Sequence, residues 1–290
     1  MKALIKHIIT SALAAMAFIP AGSQSRLENG TVSSRILGTD KPYIVYLPDG
    51  YDRNPDRQYP ILYLLHGLSG NCETWAKKYD MKTITDFRIA SGFSLPMIVV
   101  MPDARGVLPN NRGDNVGYAN RGSWRYEDFF FQEFIPTIES RYRVQGDRAH
   151  RAVSGLSMGG FGTVLYAMHH PDLFSSACPM SARVEGTPGR EPGTGGDSEA
   201  FYEMCRQNNM VEYLRAQSPE AQKAIGSVRW YIDCADGDSL LPGNMHLYEL
   251  MCGLDFPMAN FRVREGAHKT DYWRTSLPEV LTFISIAFEQ

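Results

Sequence analysis

One serine with a glycine two residues away on each side constrains this chain more than any other feature, and it stands in the run Gly155-Leu156-Ser157-Met158-Gly159. Residues 151–156 before it have the composition of a short buried strand, and residues 160–170 after it form a helical pattern that Pro171 ends. Any Cβ at the two flanking positions would collide in a turn tight enough to pass directly from strand to helix. The run therefore predicts a nucleophile elbow, with the Ser157 hydroxyl beside the unpaired N–H groups of a helix N-terminus.

The rest of the chain alternates between strand patterns and helix patterns. Two β-rich runs at residues 31–36 and 43–47 flank a Gly-containing turn and predict an antiparallel hairpin. The further predicted strands are residues 59–65, 97–101, 175–180, 228–233 and 261–264, and the further predicted helices are residues 74–90, 124–141, 244–252 and 272–289. This order predicts an α/β fold with a mostly parallel central sheet and helices on both faces, whose functional residues lie at the carboxyl ends of the strands.

Two segments depart from this pattern in composition. Residues 1–23 contain Lys2 and Lys6, then an apolar run, then small residues, which predicts a secretory signal peptide. The apolar run is shorter than the ~20 residues of a membrane-spanning helix, so we expect a secreted or periplasmic protein without a membrane anchor. Residues 24–290 then form one domain, in which a Gly- and Pro-rich stretch lies within a candidate lid insertion at about 183–227.

Charge and cysteine content limit the classes of partner. The chain has 29 Lys and Arg against 32 Asp and Glu, a formal net charge of −3, and its basic residues are scattered. A nucleic-acid partner requires a basic patch, so we expect none. The five cysteines are an odd number for an exported chain, so at least one stays free or pairs between chains. Cys178 and Cys234 fall in strand-like runs and are predicted to be buried thiols.

A serine hydroxyl becomes an effective nucleophile only when a base takes its proton and a third group orients that base. In a sheet with a nucleophile elbow the chain order is serine, acid, histidine. Of the histidines after Ser157, His169 and His170 sit at the end of the elbow helix, and His246 lies inside an amphipathic helix. His268 follows a strand in a loop before the last helix, and we therefore assign it as the base.

Three aspartates near the end of one predicted strand are candidates for the acid. Asp233 still belongs to the strand, whereas Asp236 and Asp238 follow it. We favour Asp238 and keep Asp236 as the alternative. The spacing does not fit a calcium loop, because Asn244 stands where such a loop needs a Glu.

The oxyanion of a tetrahedral intermediate needs two N–H donors. One is expected from Met158, the residue after the nucleophile, and the other from Leu68, in the loop after an early buried strand. His66 in the same loop is expected to brace it. The polar stretch between residues 102 and 123 is expected either to build part of the site or to form a surface loop.

Taken together, these runs resemble the esterase family of the α/β hydrolases that includes feruloyl and acetyl xylan esterases (carbohydrate esterase family one), S-formylglutathione hydrolase and the mycobacterial mycolyltransferases. The resemblance extends from about Ser33 to the C-terminus. It rests on the runs Tyr63-Leu64-Leu65-His66-Gly67, Glu127-Asp128-Phe129-Phe130, Gly155-Leu156-Ser157-Met158-Gly159-Gly160, His170-Pro171-Asp172-Leu173-Phe174 and Gly266-Ala267-His268.

The resemblance implies an α/β-hydrolase fold and a serine esterase that needs no cofactor. It also implies a catalytic triad of Ser157, Asp238 and His268, with the N–H groups of Leu68 and Met158 as the oxyanion hole. The chain departs from many members in the residues before the acid, which are Ala235-Asp236-Gly237. Asp236 therefore stays the alternative acid.

Export favours esters on plant polysaccharide, so the expected substrates are feruloyl or acetyl groups on xylan. A broad small-ester hydrolase or an S-formylglutathione-type thioester hydrolase is the alternative, and a hydrolase fold that only binds its ligand is a third possibility. A mycolyltransferase is not expected, since nothing indicates a groove for a long acyl chain. Tyr118, Trp124, Tyr272 and Trp273 are candidates for stacking on a phenolic ring or a sugar, although such aromatic residues more often lie in the core.

Overall fold

The computed structural model describes residues 24–106, 117–185 and 205–289. Its strands are β1 (Arg26–Ser34), β2 (Thr39–Leu47), β3 (Ile61–Leu65), β4 (Ile98–Pro102), β5 (Asn120–Arg121), β6 (Trp124–Arg125), β7 (Arg151–Leu156), β8 (Ser176–Met180), β9 (Arg229–Ala235) and β10 (Ala259–Arg264). Eight of them form one sheet in the order β1-β2-β4-β3-β7-β8-β9-β10. All neighbours from β4 to β10 pair in parallel, so the mostly parallel sheet predicted from the sequence is confirmed.

The predicted N-terminal hairpin forms the antiparallel side of this sheet. β1 and β2 pair from Arg26 opposite Leu47 to Ser34 opposite Thr39, and the turn between them contains Gly38 at a φ of 66°. β2 then pairs with β4, also antiparallel. The parallel strands β4, β3, β7, β8 and β9 consequently end at one edge of the sheet, where the candidate site lies.

Helices cover both faces of the sheet, as predicted. They are α1 (Met81–Ala90), α2 (Tyr126–Phe129), α3 (Ile135–Arg141), α4 (Met158–His169), α5 (Met210–Ala216), α6 (Pro219–Gly226), α7 (Leu241–Gly253) and α8 (Thr270–Phe288). α1 and α8 pack on one face, and α2 to α7 pack on the other. β3 and β4 are therefore buried at every position, which explains their uninterrupted apolar sequences. None of the helices in the described part of the chain combines the length and apolar character needed to span a membrane.

Two of the predicted helices contain π-helical turns. Thr74–Lys78 is one such turn, and it is separated from α1 by Asp80, whose φ is 54°. Phe130–Phe134 is another and joins α2 to α3. The turns carry the aromatic rings of Trp75 and Phe130, both completely buried. Apolar spacing predicted the helical character of these segments but not the change in winding.

The predicted lid is described only in part. Residues 186–204 of it lie outside the described residues, as do residues 107–116 of the polar stretch and the predicted signal peptide at 1–23. The described helices α5 and α6 belong to the lid region. α5 buries Met210, Val211 and Leu214 and contacts α4 and α7. This portion is thus packed on the sheet-covering helices, and a lid function for residues 183–227 stays a prediction.

All five cysteines are free thiols. Four are buried, including Cys178 and Cys234 as predicted, and Cys252 is exposed. Burial raises the pKa of the Cys72 thiol to about 11 and that of Cys234 to about 12. The buried thiols are therefore protonated and unreactive at neutral pH.

Candidate active site

Ser157 lies at the strained turn between β7 and α4. Its φ of 55° and ψ of −110° are unusual for a residue with a side chain. A Cβ at Gly155 would lie 2.6 Å from the Gly159 carbonyl oxygen, and one at Gly159 would lie 2.4 Å from the Leu65 carbonyl oxygen. Neither position can therefore hold a larger residue, which is the reason for the Gly-x-Ser-x-Gly spacing. The Ser157 N–H donates to the Met180 carbonyl at 2.9 Å and ties the turn to β8.

His268 lies between the serine and an aspartate, in the loop that joins β10 to α8. Its Nε2 is 2.9 Å from Ser157 Oγ, and its Nδ1 is 2.8 Å from Asp238 Oδ2. An ionised carboxylate can only accept hydrogen bonds, so Nδ1 carries the proton and Nε2 is left to accept the Ser157 hydroxyl hydrogen. The three side chains assigned from the sequence are thus brought into a continuous chain of hydrogen bonds.

Asp238 is buried and held in its charged form. Burial acts to raise the pKa of its carboxyl, but the hydrogen bond to His268 and the Leu240 N–H, which donates to Oδ1 at 2.9 Å, outweigh burial and lower it. The carboxylate is therefore ionised at neutral pH. Its two oxygens serve different partners, which fixes the plane of the group relative to the imidazole.

The other two aspartates of the same segment have other partners. Asp236 Oδ1 accepts the Gly266 N–H at 3.0 Å, so this exposed residue holds the loop that carries His268. Asp233 accepts the Tyr272 hydroxyl inside the core, where burial raises the pKa of its carboxyl. Of the candidate acids, only Asp238 contacts the histidine.

The remaining histidines after Ser157 bond elsewhere. His169 Nδ1 is 2.7 Å from Glu127 Oε1, and His170 Nε2 is 3.7 Å from the same atom. His246 Nδ1 is 3.1 Å from Glu185 Oε2. These three imidazoles therefore contact glutamates and not Ser157.

The two residues predicted to supply the oxyanion donors are Met158, which follows Ser157, and Leu68. Met158 opens α4, so its N–H has no acceptor within the helix. Leu68 lines the same cavity as Ser157. A Cβ at Gly67 would lie 2.5 Å from Leu156 Cδ1, so the absence of a side chain there lets the Leu68 loop approach the end of β7. Leu68 and Ser157 thus line one cavity, and the oxyanion hole formed by the N–H groups of Leu68 and Met158 stays a prediction.

His66 braces this loop as a neutral imidazole. The Ala104 N–H donates to its Nε2 at 3.0 Å, so the ring proton sits on Nδ1 and is donated to the Gly67 carbonyl at 2.8 Å. Tyr118 donates its hydroxyl to the His66 carbonyl at 3.0 Å. Burial lowers the pKa of His66 to about 4. The imidazole is therefore uncharged at neutral pH and keeps both hydrogen bonds.

A cavity of about 450 Å³ opens at Ser157. This volume lies in the range of ~300–1,000 Å³ typical of small-molecule sites. The cavity has apolar and aromatic walls with cationic and hydroxyl groups among them. It is lined by Gly67, Leu68, Ser69, Gly70, Thr74, Lys78, Tyr79, Leu156, Ser157, Arg183, His268 and Trp273.

The Esterase family model matches residues 34–284 of the chain, which include Ser157, Asp238 and His268. The chain belongs to this family. The family assignment agrees with the α/β-hydrolase fold.

Individual relatives are consistent with this assignment. A solved ferulic acid esterase is 36% identical to the chain, with a TM-score of 0.86 over 92% of this chain and 99% of the other. The S-formylglutathione hydrolase of Staphylococcus aureus is 20% identical with a TM-score of 0.68, over 91% of this chain and 100% of the other, and shares the fold. The endo-1,4-beta-xylanase/feruloyl esterase of Xylanibacter ruminicola is 32% identical over 52% of this chain. The chain spans only 21% of the length of that relative.

The aromatic residues expected to stack on a substrate have different positions in the structure. Tyr118 was predicted wrongly: it is completely buried between Tyr126 and Tyr166, where no ligand can reach its ring. Trp124 lies under the Lys41 ammonium, which is 5.4 Å from the ring centroid, and is absent from the described lining of the cavity. Its indole therefore contacts Lys41 and is not part of the described cavity wall.

The last two aromatic candidates stand at the start of α8. Tyr272 is buried and hydrogen-bonded to Asp233, so it too is unavailable for stacking. Trp273 does line the cavity, although only 6% of its surface is exposed. Its ring meets the His268 imidazole edge to face, with the centroids 4.7 Å apart at 88°. Of the four aromatic candidates, Trp273 alone is found among the described lining residues.

Sequence reasoning missed several residues around the site. Lys78 and Arg183 add positive charge to the cavity lining. Ser181 is completely buried, has a φ of 46°, and accepts the Trp273 indole N–H at 3.1 Å. The one available signal for Ser181 was its place directly after a predicted parallel strand, because functional residues collect at the carboxyl ends of such strands.

Proposed function

We propose that this protein is an exported serine esterase that releases feruloyl groups from plant polysaccharide through an acyl-enzyme intermediate. The observation that carries the mechanism is the hydrogen-bonded chain from Ser157 Oγ through His268 to Asp238, with both distances below 3 Å. The likeness to a ferulic acid esterase over nearly the whole of both chains supports the substrate class. The predicted signal peptide at residues 1–23 supports export, since the polysaccharide lies outside the cell.

The chemistry follows from the protonation states of the three side chains. His268 Nε2 accepts the Ser157 proton while Oγ attacks the ester carbonyl, and Asp238 stabilises the imidazolium that forms. The N–H groups of Leu68 and Met158 receive the oxyanion. The alcohol leaves with the proton from Nε2, and water, activated by the same nitrogen, then hydrolyses the acyl-serine.

The cavity supports an aromatic acyl group over an acetyl group. Tyr79, Trp273 and the aliphatic side chains of Leu68 and Leu156 provide apolar surface for a planar ring. An acetyl group would leave most of the 450 Å³ cavity without contacts. Feruloyl release is therefore the primary proposal, and acetyl release from xylan is the alternative.

The test compares methyl ferulate, acetylated xylan and S-formylglutathione as substrates for the protein, for Ser157→Ala and for Ser140→Ala. Ser140 is exposed on α3 and serves as the matched serine substitution. We expect hydrolysis of methyl ferulate that is lost in Ser157→Ala and unchanged in Ser140→Ala. A serine-directed organophosphonate should label the protein and Ser140→Ala but not Ser157→Ala. Acetate release alone would point to an acetyl esterase, thioester hydrolysis alone would support the alternative, and equal rates in all three proteins would exclude the serine mechanism.

A further inference from the structure

The peptide group that joins Gly67 to Leu68, in the loop after β3, is held by its carbonyl oxygen. This oxygen accepts the Nδ1–H of His66 at 2.8 Å and the N–H of Gly70 at 3.0 Å. The described part of the chain contains no cis peptide bond, and in a planar trans peptide the C=O and the N–H point in opposite directions. The two hydrogen bonds to the Gly67 carbonyl therefore also set the direction of the Leu68 N–H.

The Leu68 N–H itself has no acceptor among the described residues. Leu68 is half-buried and lines the cavity that opens at Ser157. Backbone N–H groups that are removed from water are nearly always paired, so an unpaired one in a cavity wall is available to a ligand. The oxyanion that forms when Ser157 attacks an ester carbonyl is an acceptor of this kind.

The imidazole that holds the Gly67 carbonyl is itself fixed by its neighbours. His66 is buried, and its Nε2 accepts the Ala104 N–H at 3.0 Å, from the segment that follows β4. A neutral imidazole that accepts at Nε2 must carry its proton on Nδ1, which is the nitrogen that faces Gly67. The Tyr118 hydroxyl donates to the His66 carbonyl at 3.0 Å. A chain of hydrogen bonds thus extends from the end of β4 through His66 to the peptide group of the Leu68 N–H.

We infer that His66 is a positioning residue for ester hydrolysis, whose Nδ1–H holds the Gly67 carbonyl so that the Leu68 N–H points at the oxyanion. His66 does not line the described cavity, so it acts through this peptide group and not on the substrate. The Gly70 N–H shares the work, because it donates to the same carbonyl oxygen. The inference rests on the proposed serine mechanism, in which Leu68 is one of the two oxyanion donors.

Two substitutions separate the roles of the two ring nitrogens. The amide of His66→Asn can place an N–H at the position of Nδ1 but leaves the Ala104 N–H without an acceptor. The amide oxygen of His66→Gln can accept the Ala104 N–H at the position of Nε2 but provides no donor at the position of Nδ1. His246→Gln is the matched control, because that imidazole is exposed and contacts Glu185.

The substrate is methyl ferulate if the protein hydrolyses it and otherwise 4-nitrophenyl acetate. The measurements are kcat, KM, the urea midpoint and the Ki of phenylboronic acid, which forms a tetrahedral adduct with a reactive serine. The adduct places an oxygen where the oxyanion would stand, so its Ki reports the oxyanion donors directly.

We expect kcat to fall about 10- to 100-fold in His66→Gln, with KM unchanged and the Ki of phenylboronic acid raised by a similar factor. This is less than the ~10²- to 10³-fold loss of a whole oxyanion donor, because the Gly70 N–H still holds the carbonyl. His66→Asn should keep kcat within about fivefold of the parent, yet have the lower urea midpoint, because it leaves a buried N–H unpaired. His246→Gln should match the parent in every measurement.

A role of His66 in stability alone would make the less stable variant the less active one, so the opposite order of activity and stability is the decisive result. Parent-like kcat and Ki in His66→Gln, or equal losses of kcat in the two folded variants, would overturn the inference. Each variant can refute it alone if the other does not fold. Ser157→Ala in the same assay separates the two levels: if it is inactive, a negative result concerns His66 alone, and if it is fully active, the proposed serine mechanism fails.

Discussion

Two aspartates two residues apart allow a matched test of the proposed triad, because Asp238→Asn and Asp236→Asn make the same change of charge in one loop. In Asp238→Asn the side-chain oxygen can still accept the Leu240 N–H, which donates to Oδ1 at 2.9 Å. The new amide group then faces His268 Nδ1 at the position of the 2.8 Å hydrogen bond. An amide N–H cannot accept a proton, so the imidazole must adopt the tautomer with hydrogen on Nε2.

A histidine with hydrogen on Nε2 cannot take the proton of Ser157. We therefore expect kcat to fall about 10⁴-fold, the loss found when this substitution is made in a Ser-His-Asp triad, which corresponds to about 5 kcal/mol of activation free energy. KM should change little, because Asp238 does not line the described cavity. Asp236→Asn retains an oxygen that can accept the Gly266 N–H, so its kcat should stay within about fivefold of the parent.

The assay is steady-state hydrolysis of a soluble ester near neutral pH, with circular dichroism to check that both variants are folded. Similar losses in the two variants would mean that the loop charge, rather than the contact with His268, matters for turnover. If Asp238→Asn keeps more than a tenth of the parent kcat, the proposed role of the Asp238 carboxylate is refuted.

Three further substitutions test structural features around the site. Burial lowers the pKa of His66 to about 4 from 6.5, so as the pH falls the unfolded chain binds this proton before the folded chain does. The contribution of His66 to the free energy of unfolding should therefore drop by about 3 kcal/mol between pH 6.5 and 4. His66→Gln should reduce this loss in urea titrations at the two pH values, and an identical loss would contradict the assignment. Tyr272→Phe removes the hydroxyl that donates to buried Asp233 and should cost about 1–3 kcal/mol of unfolding free energy, whereas an unchanged urea midpoint would mean that the bond contributes nothing. Gly159→Ala places a Cβ 2.4 Å from the Leu65 carbonyl oxygen and should lower Tm by about 5 °C or more, and a parent-like Tm would show that the backbone there can yield.

The elbow and the strand order were predictable because both depend on local rules. Gly155 and Gly159 are required by contacts within one turn, and the apolar runs follow from burial of each strand on two faces. The position of His268 was predictable for a related reason, since a loop between the last strand and the last helix must open at the carboxyl edge of the sheet.

Features that depend on long-range contacts were not predictable. Asp236 and Asp238 are separated by one residue, and only the closure of the His268 loop, where the Gly237 N–H donates to the Gly266 carbonyl at 3.1 Å, decides which of them faces the imidazole. Tyr118 stands in a polar stretch of sequence, yet it is enclosed by the rings of Tyr126 in α2 and Tyr166 in α4. Composition near a residue does not report such burial.

The five free thiols can report local unfolding of the protein, because they differ in exposure. Cys72, Cys178, Cys205 and Cys234 are buried on different elements around the sheet, whereas Cys252 is exposed at the end of α7. A maleimide should therefore modify the folded protein at Cys252 within minutes and reach the other four only as each region unfolds. Mass spectrometry of successive adducts would then rank the local stabilities of the molecule without any engineered probe.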